Sequence, residues 1–553
     1  MREKILSIGV ALGMLFGCTD MINLVPEDAT TYSNFFKSEK DAEGLLVTLQ
    51  HSLRAISGTP IGSHFVIGAI ADTMTGSMYA IQELSPESIN WSLYYRTLND
   101  ADMIIENVHR FPEPGKIEPY ALQGYFAKAM AYFQLGRKYG EVPVKRSPTY
   151  VLEKLAKSPI PEVLEEATQY GLKALALPKY EDLKDYLGNP RTTKQYGSKG
   201  SAAALLAHIY AWRAEIEQRP EFWDEAEKYC TMIISGEAGY YELAPDPEGV
   251  AVNVMHRNHP ESIWETYQST TETGGGGRFS YRFTGFPIRI DGSLANPKET
   301  YDVEVYKTTV NRMFDRDDRR RDAWFWAVDA DSLFVVKDPK SGENWQIYKE
   351  NRGTETVYVK YNQKTYHSEV LTEGFTFGKA DVLAAYDNKS IKKAFAFKYR
   401  RTYYITRNEA WGPEFQMMDM NLVFWRLADI ILLRAESRVR KNSPDLSGAT
   451  ADLNRIRERA YGNRSHDYTT AEGDLKAMIF REREKELLFE DHRFYDVVRN
   501  GWDYVRSDKF PPKFSTLTDQ DIRDGALYWP TPGDAFSNND LMRQNVYWNR
   551  VAN

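Results

Sequence analysis

Cysteine is nearly absent from this chain. Only Cys18 and Cys230 stand in 553 residues, too few for a disulfide framework or a cysteine-rich zinc site. Histidine is sparse as well: of nine, only His256 and His259 lie close together, and no cysteine or carboxylate triad flanks them. No metal site and no cofactor is expected. The signatures of catalysis are missing too, with no Gly-x-Ser-x-Gly elbow, no Walker loop and no His-Glu-x-x-His. Gly274–Gly277 is followed by no Lys-Ser/Thr and is expected to be a flexible loop rather than a phosphate cradle. Basic charge is not in excess, since 70 Lys and Arg face 78 Asp and Glu for a net −8. That argues against a nucleic-acid partner, which needs a basic face. Past the N-terminus, no stretch approaches the ~20 uncharged apolar residues of a membrane span.

What is present begins at the N-terminus. Arg2 and Lys4 precede Ile5–Gly17, thirteen residues without a charge. This matches the ~7–15 residue apolar core of a secretory signal. Leu15-Phe16-Gly17-Cys18 resembles a bacterial lipobox, although Phe16 is bulkier than that motif usually carries. Residues 1–17 are therefore expected to be a cleaved signal peptide and Cys18 the lipidation site. Several acyl chains, at ~0.8 kcal/mol per buried CH₂, hold a protein in a membrane almost permanently. Cys230, inside the helical stretch Glu225–Ile234, is expected to be a small buried hydrophobe.

The body of the chain carries a helical period in several places. In Tyr120–Tyr139 the residues Leu122, Tyr125, Phe126, Ala129, Tyr132 and Phe133 recur at three- and four-residue spacing. Alanine-rich Ser198–Glu217 follows the same rule, with Trp223–Ser235 as its partner helix. Leu422–Arg440 and Ala449–Ala460 form a later pair. Helices of this length, joined by short loops and meeting through alanines, predict a mainly α fold with a tetratricopeptide-like scaffold of helical pairs. Roughly Glu242–Met418 differs: it is rich in glycine, aromatic and β-branched residues and predicts an irregular, loop-rich region with short strands such as Glu355–Tyr361. The expected organisation is the signal (1–17), an N-terminal region with helical repeats (18–240) and a C-terminal region (241–553). Within the last, variable loops occupy 241–418 and the last helical pairs 419–505.

Several motifs, in order, resemble those of the SusD/RagB family. Tyr125–Val144 ends in Tyr-Gly-Glu-Val-Pro, where Gly140 stops a helix and Pro143 prevents its resumption. His259–Glu265 is similar to the family's strand with a buried acidic–aromatic pair. Met313–Asp322, Phe424–Ser437, Ala449–Ala460 and the tail from Leu527 to Asn545 follow. The most specific is Arg481–Gly501, similar to the signature Glu-Arg…Glu-Leu-x-Phe-Glu-Gly-x-Arg-x-x-Asp, with Asp491 in place of the usual glycine. The resemblance implies a SusD-like fold and an outer-membrane lipoprotein facing the cell exterior. It implies capture of an oligosaccharide that is handed to a TonB-dependent, SusC-like transporter, with no catalysis. A peptide or other nutrient is the alternative ligand within the family. An exported glycosidase and a protein-binding tetratricopeptide scaffold are the readings outside it.

Two residue sets bear on a functional site. Glu482, Glu486, Glu490 and Asp496 offer carboxylates in pairs, which glycosidases need at ~5–10 Å. They alternate with Arg481, Arg483, Lys485, Arg493 and Arg499, however, which predicts a salt-bridge network between packed helices and no catalytic residue. Ligand contact is expected instead from aromatic rings, which cover the apolar C–H face of a sugar. The candidates are Tyr79, Trp91, Trp324, Trp326, Trp345, Tyr348 and Trp411, with Asp72 and Arg289 as polar companions. Trp264 is assigned to the core.

Overall fold

The computed structural model describes residues 35–57, 85–146, 153–268, 305–338, 341–362, 364–371, 375–405, 415–500 and 517–551. Cys18, Tyr79 and Trp411, together with Asp72, Arg289 and Gly274–Gly277, lie outside them.

The first half is a stack of helices: α1 Glu39–Ser57, α2 Ser92–Ile105, α3 Pro114–Tyr139, α4 Ile160–Ala174, α5 Lys199–Ile216 and α6 Phe222–Ile234. Capping chemistry sets their ends. α3 begins earlier than its apolar period because Pro114 takes the first turn, where a missing N–H costs nothing. It stops where Gly140 adopts φ +74°, a conformation that a Cβ disfavours. α5 opens on a reciprocal cap, in which the Ser201 N–H donates to the Ser198 hydroxyl and the Ser198 N–H donates to the Ser201 hydroxyl. Each helix packs on the next. α5 is buried on every side from Gly200 to Ala214, as expected of a helix without a polar face. A Cβ on Gly171 of α4 would fall 2.8 Å from the Leu206 side chain of α5, so a larger residue there would have to displace that side chain.

The chain then leaves the stack. β1 (Ser262–Thr266) is followed by β2 (Val305–Tyr306), α7 (Lys307–Met313), α8 (Arg320–Trp324) and β3 (Phe325–Trp326). β4 (Ser332–Lys337), β5 (Asn344–Arg352), β6 (Glu355–Tyr361), β7 (Ser368–Val370) and β8 (Val382–Asp387) form one antiparallel sheet, ordered β7-β6-β5-β4-β8. β9 (Lys393–Ala396) bridges β2 and β3, and β10 (Thr402–Ile405) pairs with β11 (Phe415–Met418). The region expected to be loop-rich is therefore built around a five-stranded sheet.

Leu422–Arg440, expected as one helix, is two elements. Leu422–Arg426 forms β12, antiparallel to β1, and α9 starts only at Leu427 and runs to Arg440. The cause is tertiary: Phe424 and Trp425 pack on Trp264 at 5.3 and 5.9 Å between ring centroids, and extended backbone at Arg426 aims its side chain into a buried carboxylate cluster. α9 packs on α6, and α10 (Leu446–Tyr461) and α11 (Leu475–Glu486) pack on α9. The helical stack is thus continuous in space although the sheet region interrupts it in sequence. α12 (Arg493–Asn500), α13 (Asp519–Arg523) and α14 (Val546–Val551) close the chain. Among the described residues no helix is long and apolar enough to cross a membrane.

Candidate ligand-binding site

The structure divides the aromatic candidates by parity. A strand points successive side chains to opposite faces, so residues three apart cannot share one. Trp345 and Tyr348, both on β5, therefore part. Tyr348 faces inward and meets Trp326 edge to face at 5.3 Å, within a small core that also holds Leu333, Val359, Tyr361 and Phe397. Trp324 is fully buried. Its indole N–H donates to the Lys485 carbonyl at 2.8 Å, and the Lys398 ammonium sits 4.2 Å over its ring. Trp91, at the start of α2, is buried against Tyr95 and Tyr139. Trp91, Trp324, Trp326 and Tyr348 are therefore buried core residues in this structure, against the expectation that they line a ligand surface. Cys230 is buried on α6 as expected, and burial pushes its thiol well up.

Trp345 is different. It is half-buried and faces outward from the sheet, directly opposite Val336. Phe334 lies on the same face opposite Ile347, and Tyr358 opposite Lys349. Phe375 and Phe377, from the segment after β7, join them. Centroid separations run from 5.2 Å for Phe334–Phe377 to 6.4 Å for Trp345–Phe375, and Tyr358 touches both phenylalanines. All five rings are half-buried, while Val336 and Ile347 of the same face are buried. The Lys360 ammonium stands 3.9 Å over the Trp345 ring. The result is a continuous, partly exposed aromatic surface with a lysine donor at its edge. Flat apolar rings beside a hydrogen-bond donor suit a sugar ring and its hydroxyls.

Behind the sheet region, a buried ionic frame ties the insert to the helical stack. Arg426 is wholly enclosed and donates to Glu261 at 2.7 Å, Glu486 at 2.8 Å and Glu490 at 2.7 Å. Arg459 reaches Glu261 at 2.9 Å and Glu486 at 2.5 Å. Arg320 joins Asp318 and Glu482, each at 2.7 Å, and Lys398 pairs with Glu490. Burial alone raises a carboxyl, but Arg459, Arg426 and Arg320 outweigh it and hold Glu486 far below the usual range. A second cluster follows the same logic: Arg483 grips Asp429 and Asp496, and Arg499 grips Glu436. Glu436 is drawn down to about 2 against its burial, chiefly by Arg499. Carboxylates held ionised by buried cations do not serve as general acids near neutrality.

The network expected from Arg481–Gly501 is present, but with other partners. α11 ends at Glu486, so Glu490 reaches the frame from a turn in which Phe489 and Asp491 take positive φ. Asp491 adopts φ +63°, which accounts physically for a glycine preference at this position. Arg493 pairs with Glu484 outside the frame.

A family model described as the SusD family matches residues 260–548, from just before Glu261 through the frame to the last helix. The chain belongs to the SusD family. SusD-like protein P2 of Formosa agariphila is 26% identical over 74% of this chain and 70% of its own length. SusD-like protein P25 of the same organism is 22% identical over 90% of each. The fold matches a SusD homolog of Bacteroides thetaiotaomicron with a TM-score of 0.66, at 19% identity over 93% of this chain and 98% of that one. NanU of B. fragilis aligns with a TM-score of 0.61, at 18% identity over 94% and 99%. SusD family proteins are nutrient- and glycan-binding proteins associated with the outer membrane, and they generally work with SusC-like transporters.

Sequence reasoning missed Phe334, Tyr358, Phe375, Phe377 and Lys360 of the SusD-like insert. A signal existed for two of them. Alternation in Glu355–Tyr361 sets Val357, Val359 and Tyr361 on one face and Tyr358 and Lys360 on the other, the face of Trp345.

Proposed function

We propose that this SusD family protein captures an oligosaccharide outside the cell and passes it, unaltered, to a TonB-dependent SusC-like transporter. Cys18 anchors it by lipid to the outer membrane, and the outward aromatic face at Trp345 contributes to glycan contact. The family match over residues 260–548 carries the binding role. The half-buried rings around Trp345 support a surface for sugar, because Trp345 is the candidate among the described residues that keeps exposed area and four further rings extend its face. Tyr79 and Trp411 remain proposed contacts of the same ligand.

Affinity electrophoresis on a panel of polysaccharides tests this. The protein is expected to be retarded by at least one glycan and to release no reducing ends from it. Trp345→Ala should weaken that retention about tenfold, since one aromatic–sugar contact contributes ~1–2 kcal/mol, with Tm nearly unchanged. Retention by no glycan sinks the proposal, and unaltered retention of the variant removes Trp345 from the site. The anchor is tested separately: Cys18→Ala should yield folded protein in the soluble fraction, and a variant that still partitions with outer membranes refutes lipidation at Cys18.

A further inference from the structure

Beside the ionic frame, whose Glu482 lines it, a cleft of about 660 Å³ opens between α7, the C-terminal end of α10 and α11. Its size is that of a small-ligand site, and it is separate from the aromatic face. One wall is the Tyr461 ring with His466 stacked on it, 3.7 Å between centroids and 10° from parallel. Both are fixed from outside the pair, as the Tyr461 hydroxyl donates to Asp315 at 2.8 Å and His466 meets Asp317 at 2.7 Å.

The charges of the cleft do not cancel in place. Each lining carboxylate already has a cation. Glu472 and Glu482 are held by Arg457 at 2.9 and 3.0 Å, Asp467 by Arg464 at 2.9 Å, Glu484 by Arg493, and Asp315 lies 3.8 Å from Lys485. Arg312 and Arg481 also line the cleft, are exposed, and have no carboxylate partner among the described residues. A guanidinium cannot lose its charge, and its donors match the oxygens of a carboxylate or sulfate. Two of them come here from different elements, α7 and α11.

We propose that this cleft is an anion-recognising subsite, in which Arg312 and Arg481 bind the carboxylate or sulfate group of an acidic saccharide. The saccharide class rests on the glycan-binding reading above. The anion specificity rests on the two arginines. The subsite sorts acidic from neutral glycans, a choice that the aromatic face, which reads C–H surfaces, does not make.

Calorimetric titration of the full chain with a short oligogalacturonate, a sulfated galactan oligosaccharide and the neutral galacto-oligosaccharide of equal length tests this. At least one anionic probe should bind more tightly than the neutral one, with an affinity that falls as salt is raised. Arg312→Gln combined with Arg481→Gln should weaken that probe tenfold or more, leaving neutral-glycan retention and Tm unchanged. The better of the two anionic probes identifies the group. Equal affinity for acidic and neutral probes, or a double variant that binds the acidic probe like the parent, overturns the subsite. If a neutral glycan is captured and neither acidic probe binds, the subsite fails while the glycan-binding reading stands. If no glycan of either kind is bound, both fail.

Discussion

Arg426→Met is expected to lower stability to unfolding by about 3–5 kcal/mol, the cost of leaving a buried ion partner unpaired. Methionine fills most of the space, so the loss is electrostatic rather than a cavity. Three carboxylates, Glu261, Glu486 and Glu490, lose a guanidinium within 2.8 Å. Arg459 and Lys398 still reach the cluster, which keeps the loss near one broken pair rather than three. A urea titration gives the number, and a shift below about 1 kcal/mol, the scale of an exposed ion pair, would show that the frame is wet and screened. Adding Glu490→Gln should cost less in the Arg426→Met background than in the parent, since coupled neighbours are non-additive.

The same frame predicts the direction of acid sensitivity. Glu436 has its carboxyl lowered from 4.5 to about 2 in the folded protein, and Glu486 is lowered further. A depressed acid contributes stability that is complete above its unfolded pKa and is lost as pH falls through the folded one. Stability should therefore hold above pH 4.5 and decline from there towards pH 2 for Glu436, with Glu486 extending the loss to lower pH.

The helical stack was legible because its period and its stops are local. Leu122 to Phe133, Gly140 and the Ser198 cap each act within a few residues, so α3, α5 and α6 follow closely from the sequence. β12 was not, since Leu-Val-Phe-Trp-Arg before an apolar helix fits either period, and only pairing with β1, some 160 residues earlier, decides it. The ionic frame was half legible. Glutamates at four-residue spacing announced a network, but Glu261, Arg320 and Arg426 arrive from distant segments that local spacing does not connect. The aromatic candidates rest on an excess of rings in segments expected to be loops, and a loop expectation carries no face. Once β5 is a strand, Trp345 and Tyr348 must separate, and once Phe325–Trp326 pairs with β9, Trp326 is drawn inward with Phe395 and Phe397.

Trp324→Ala is therefore expected to unfold rather than disarm the protein, with a loss of about 3–5 kcal/mol for a buried tryptophan truncated to alanine. The indole fills its site completely, and its N–H satisfies the Lys485 carbonyl at 2.8 Å on α11. Removing it leaves that carbonyl without its donor, a further cost when no water replaces it. The cavity would also open beside Lys398, whose ammonium lies 4.2 Å over the ring while donating to the Glu486 and Leu488 carbonyls. Burial pushes the pKa of that ammonium down to about 8 despite Glu490 beside it, so water admitted there would raise the pKa while competing for the ammonium's hydrogen bonds to the frame. Trp345→Ala is the matched control: the same truncation on a half-buried ring should leave Tm nearly unchanged and show itself only in glycan retention. Differential scanning calorimetry and affinity electrophoresis on both variants separate the two roles. A Trp324→Ala protein that melts like the parent but no longer binds glycan would return Trp324 to the ligand site and refute its place in the core.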